Sequence, residues 1–182
     1  MANDDHLQDE PPTAGEQADL WRQAEKVRFA MLTTRSADGA LSSRPMTLQG
    51  VDGDGTMWFF TAASTQLGAD VRLDPSVNVA FSAPDDDFYL SACARAHFVD
   101  DREQVESLWN VMSAAWFDGP GDPRLWLLRV EPQRVDYWKS GAGKVLQLAA
   151  MAKAALTGTR PGKAVGEKGS FVPSDGRGAA AR

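Results

Sequence analysis

Cysteine and histidine are almost absent from this 182-residue chain, which has Cys93 as its one cysteine and His6 and His97 as its two histidines. A single thiol excludes an intramolecular disulfide framework and a thiolate metal cluster, and it fits a reducing, cytoplasmic setting. With one histidine in a polar leader and the other alone in a strand pattern, neither a paired-histidine metal site nor a Ser-His-Asp set can be assembled. Excess positive charge is missing too. The formal charge of −6 and the pI near 4.9 argue against electrostatic binding to nucleic acid or to an anionic membrane. No apolar run approaches the roughly eighteen residues of a membrane span, and the acidic N-terminal stretch lacks the basic-then-apolar order of a signal peptide.

What is present is the material of one domain with a sizeable core. Residues 1–17, with Asp4, Asp5, Asp9, Glu10, Pro11, Pro12 and Glu16, are too polar to offset the entropy of ordering, and read as a disordered leader. Leu20, Trp21, Ala24 and Val27 then recur at helical spacing, and Phe29 to Thr34 follows as a first strand. Ser36-Ala37-Asp38-Gly39 turns the chain into a second strand from Leu41 to Leu48, and Asp52-Gly53-Asp54-Gly55 turns it into a third, Thr56 to Thr61. Ser64 is placed as the cap of a short helix carrying Leu67 and Val71, which Asp74-Pro75 ends. Two strands follow, Ser76 to Ser82 and Phe88 to Val99. Asp100 with Glu103 resembles a capping box before a helix carrying Val105, Leu108, Trp109, Met112 and Trp116. After a Gly/Pro/Asp loop, Leu125 to Val130 and Val135 to Trp138 read as a last strand broken at Glu131-Pro132. Val145 to Leu156 suggests another helix, and the glycine-rich, basic end beyond Gly158 reads as a mobile tail. The layout predicts a mainly β fold: a six-stranded antiparallel barrel with peripheral helices over 18–140, between a leader (1–17) and a C-terminal helix and tail (141–182).

Few of these residues suggest self-sufficient chemistry. Cys93 reads as an inert strand cysteine, Asp85-Asp86-Asp87 as a solvated turn, and Gly141-Ala142-Gly143-Lys144 as a helix start lacking the Ser/Thr of a phosphate loop. A bound cofactor would have to supply difficult chemistry. Arg44, the hydroxyls of Thr61 and Ser64 and the N–H groups of a helix start could converge on one anion beside an aromatic strand. Arg44 could equally be an exposed strand residue. Among the six tryptophans, Trp58, Trp109 and Trp126 read as core, whereas Trp116 and Trp138 are open to core packing or to stacking on a heterocycle.

Met31-Leu32-Thr33-Thr34, Ser43-Arg44-Pro45-Met46, Trp58-Phe59-Phe60-Thr61 with Ser64, Asp74-Pro75-Ser76-Val77-Asn78-Val79, Ala115-Trp116-Phe117 with its Gly-Pro-Gly-Asp-Pro loop, and Tyr137-Trp138 together resemble the pyridoxamine 5'-phosphate oxidase-like split-barrel flavoproteins, most closely their general stress protein 26 branch. The resemblance implies a homodimer with two FMN sites between the subunits. It implies that Arg44 helps hold the flavin, that Pro45, Met46 and Thr47 edge its ring, that Thr61 and Ser64 help hold its phosphate, that Phe60 and Gln66 also belong to the cofactor site, and that Trp116, Tyr137 and Trp138 of the partner cover it. Relatives commonly carry a Lys where Gln66 stands, a change that weakens phosphate binding or admits FAD. No chain-end Trp-x-Gly-x-Arg pattern is present, so vitamin B6 oxidation is not expected. Flavin-dependent oxidoreduction is the leading expectation. A non-catalytic flavin carrier or redox-sensing stress protein, and heme or deazaflavin on the same fold, are the alternatives.

Overall fold

The computed structural model describes residues 11–62, 64–139 and 167–173. Strands β1 (Phe29–Arg35), β2 (Leu41–Val51), β3 (Met57–Ala62), β4 (Ser76–Ala83), β5 (Phe88–Val99), β6 (Leu125–Lys139) and β7 (Glu167–Phe171) are accompanied by helices α1 (Ala14–Val27), α2 (Gln66–Leu73) and α3 (Arg102–Leu108). The sheet runs β3-β2-β1-β4-β5-β6-β7, all neighbours antiparallel, and β3 also pairs with β6 from Met57↔Val130 to Ala62↔Leu125. That last pairing closes six strands into a barrel, the expected fold, and removes their free edges. β7 lies outside the closed set.

Alternation decides what faces inward. On β1, Ala30, Leu32 and Thr34 are buried while Phe29 and Met31 are exposed, the two-residue period of a strand with one face on a core. The interior holds Leu32, Phe59, Val79, Phe81, Phe88, Leu90, Leu128 and Val130 among others, and α1 closes one end with Leu20, Trp21 and Ala24. Gly55 makes that closure possible: its φ is +87°, and a Cβ there would stand 2.6 Å from the Trp21 ring. Trp58, Phe60, Leu125 and Leu127 turn outward from β3 and β6 and form a second cluster under α3 with Val105, Trp109 and Phe117.

Several elements differ from the sequence expectation. α1 begins at Ala14, inside the stretch read as leader, because Thr13 and Glu16 form a reciprocal capping box. α2 is capped by Thr65, not Ser64: its hydroxyl accepts from the Gly68 N–H. α3 is capped by Asp101, not Asp100, and ends at Leu108 instead of running on to Trp116. Trp109 turns extended, which sets its ring 6.2 Å from Phe60, and Asn110 starts a new turn by accepting from the N–H groups of Met112 and Ser113. Tertiary packing of Trp109 thus overrides a continuous helical period.

β6 is continuous. The proline that suggested a break falls at a register shift, Cys93↔Arg134 beside Ala94↔Pro132, where a bulge absorbs the missing N–H. β7 lies in the segment read as tail, where Phe171 packs against Trp21 and Tyr137 at centroid distances of 6.4 and 6.3 Å. The leader up to residue 10, the expected helix from Val145 to Leu156, Gly141–Lys144 and most of the tail lie outside the described residues.

Candidate functional site

The site is built at the barrel end where β2 begins, β3 stops and α2 starts. Arg44 stands opposite Leu32 on β1, and β2 runs antiparallel to β3 from Leu48↔Phe59 to Val51↔Met57. The Arg44 end of β2 therefore lies at the same end of the barrel as Thr61 and the Thr65 cap.

Its centre is a residue that sequence reading overlooked. Asp70 is 1% exposed. One carboxylate oxygen, Oδ2, accepts from the Thr34 hydroxyl at 2.7 Å and from Arg44 Nη2 at 3.4 Å, while Oδ1 accepts from Gln66 Nε2 at 2.8 Å. These bonds, the Thr34 hydroxyl foremost, hold the Asp70 carboxyl below its ordinary range against the opposing cost of burial, so it is ionised at neutral pH. Arg44 also donates from Nη2 to the Ser42 carbonyl at 3.4 Å. Its Nη1 is buried and has no hydrogen-bond partner among the described residues. A buried, unpartnered guanidinium nitrogen is costly, and it marks a place where an acceptor from outside the chain would fit.

The other sequence-chosen residues divide into groups. Thr61 is buried at the end of β3, and Ser64 is exposed just before the α2 cap. Gln66 is joined to Arg44 through Asp70. Pro45, Met46 and Thr47 pair with Met31, Ala30 and Phe29; Met46 packs on the interior core, while Pro45 faces out. Phe60 packs in the outer cluster with Trp109, away from the Arg44 group.

The three candidate covering rings are separated. Tyr137 is 3% exposed beneath β7 of its own chain, its hydroxyl 3.4 Å from Glu167 Oε1, and Gly169 is the residue that lets β7 lie against it. Trp138 is half exposed on β6, beside Tyr89 on β5. Trp116 is 77% exposed.

The loop that carries Trp116 is firmly braced. Gln49, at the bulge in β2, accepts on Oε1 from Asn110 Nδ2 at 2.8 Å and from the Ser113 hydroxyl at 3.3 Å. At its far end, Arg124 grips buried Asp122 through Nε and Nη2, and Asp122 also accepts from the Asp118 N–H. Trp116 is thus a large exposed ring on a braced loop, and Phe29, Met31, Leu41, Tyr89 and Trp138 are exposed singly on β1, β2, β5 and β6. Among the described residues no group of His, Cys, Asp and Glu is arranged to hold a metal ion.

A closed antiparallel six-strand barrel, with a strand arginine and a capped helix start meeting at one end, defines a protein of the small split-barrel class. Residues 15–162 match the family model described as pyridoxamine 5'-phosphate oxidase like, and the chain belongs to that family. Protein bli-3 of Neurospora crassa is 30% identical over 142 residues, which cover 72% of this chain and 68% of that protein. Among solved structures, the general stress FMN/FAD binding protein of Xanthomonas citri is 33% identical with a TM-score of 0.61, covering 70% of this chain and 90% of that one. A protein of Jannaschia sp. CCS1 assigned as a general stress protein 26 is 28% identical with a TM-score of 0.73, covering 88% of this chain and 99% of that one.

Proposed function

We infer that this protein is a flavin-binding general stress protein that works as a homodimer, in the cytoplasm, and carries out flavin-dependent oxidoreduction. The observation that carries the reading is the buried Nη1 of Arg44, which has no partner among the described residues at the mouth of the barrel. The residues present fit a flavin phosphate: Arg44 offers that nitrogen, Thr61 and Ser64 offer hydroxyls, and the first turn of α2 offers backbone N–H groups. Backbone groups of Pro45, Met46 and Thr47 lie on the same strand and edge the ring. Bound flavin supplies exchange of a hydride at its N5 position. The chain's part is to bind the phosphate, orient the ring and exclude water from it.

The second copy belongs on the outer side of the barrel that carries Phe29, Met31 and Trp138. From there it brings its Trp116 or Trp138 ring over the cofactor, while Tyr137, already buried under β7, supports its own chain. The Xanthomonas citri relative, by name an FMN/FAD binding protein, supports the choice of ligand and leaves FMN and FAD both open. Protein purified without added ligand is expected to be yellow, with a flavin absorption doublet and a flavin released on denaturation. A colourless protein that also fails to quench added FMN fluorescence contradicts the reading. Rapid bleaching of the holoprotein by NADH or NADPH without oxygen is the outcome for an enzyme, and absence of bleaching that for a carrier.

A further inference from the structure

We propose that Asp70 sets the charge of the anion end of this barrel, so that the ligand's phosphate meets a guanidinium already paired with a carboxylate and contributes less to affinity than an unpaired arginine would give it. The proposal rests on the flavin reading above and adds which part of the ligand the site discriminates. Arg44 has two unequal faces. Nη2 lies 3.4 Å from Asp70 Oδ2, while Nη1 is buried and has no partner among the described residues. The guanidinium thus keeps a donor for a ligand oxygen, but its charge is already matched by a carboxylate that is 1% exposed. That carboxylate lies on the Nη2 side, farther from an anion at Nη1 than the guanidinium itself, so it weakens the attraction without cancelling it.

Gln66 does not restore the balance. Its amide is used on Asp70 Oδ1 at 2.8 Å, so the helix residue nearest this carboxylate brings a hydrogen bond and no charge. What remains for the ligand, apart from Arg44 Nη1, is a set of neutral donors: the hydroxyls of Thr61 and Ser64 and backbone N–H groups. Such a set can hold a phosphate oxygen in place, yet it recovers little from the second negative charge of a phosphomonoester. Asp70 is therefore a positioning and charge-setting residue. It aims Arg44 and at the same time discounts it.

The test is fluorescence titration of the full chain with riboflavin, which lacks the phosphate, and with FMN, at low and high salt. Wild-type protein is expected to bind FMN no more than several-fold tighter than riboflavin, with a shallow salt dependence. Asp70→Asn keeps an acceptor for Thr34 and Arg44, and the Gln66 amide can turn to accept from the new Nδ2. In that variant FMN should tighten by roughly tenfold, the effect of lifting one nearby like charge, and riboflavin should not change. Gln66→Lys, at an exposed position that does not threaten folding, should shift the FMN-to-riboflavin ratio the same way and steepen the salt dependence. A wild-type ratio above about a hundredfold, or a ratio unchanged in both variants, overturns the proposal while leaving the flavin reading intact. Failure of both flavins to bind overturns the two together.

Discussion

Arg44 was legible in the sequence as a cation on a strand, and its partner was not. Asp70 sits four residues after Gln66 on α2, and nothing in the local sequence marks it for burial. Only the closure of the barrel brings α2 against β1, placing Thr34 within 2.7 Å of that carboxylate and removing it from water. Acid should therefore act on this corner. Asp70 titrates lower in the folded chain than unfolded, where its pKa is about 3.9. Its contribution to stability is complete above that value and is lost as pH falls through the depressed folded one. Asp122 behaves alike, held down first by the Arg124 fork and next by the Asp118 N–H. Thermal midpoints followed by circular dichroism should fall below about pH 4, and the fall should be shallower in Asp70→Asn.

Elements were legible where local pattern and tertiary demand agreed. The six barrel strands follow from alternation and turn chemistry, since Gly55 and Asp52 close the β2–β3 turn that the Asp-Gly repeat announces. The helix expected to run through Trp116 was misjudged because Trp109 has helical spacing yet packs sideways onto Phe60. β7 was missed for the opposite reason. Glu167-Lys168-Gly169-Ser170-Phe171 has almost no intrinsic strand signal, and its place is decided by Phe171 fitting between Trp21 and Tyr137. Replacing Phe171 with Ala should cost about 3 kcal/mol, at the low end for a buried aromatic because β7 is an outer strand. Chemical denaturation measures that loss, and Tyr137 should become accessible to quenchers before the barrel itself unfolds.

At the scale of the whole molecule, the closed barrel leaves one feature without an internal explanation. Among the described residues the outer side of β1, β5 and β6 exposes Phe29, Met31, Tyr89 and Trp138, and the pairings Phe29↔Thr47 and Met31↔Pro45 place the strand that edges the proposed flavin beside it. If a second copy covers this face, Met31→Arg should give a folded monomer by light scattering that has also lost flavin. A dimer with unchanged flavin content would place the interface elsewhere. Whether Arg44 grips the phosphate end of a flavin is read most directly from FMN titration of wild-type and Arg44→Ala protein, each first shown by circular dichroism to be folded. Clearly weaker FMN binding is expected in the variant, and equal affinity in the two proteins would show that Arg44 does not hold the ligand.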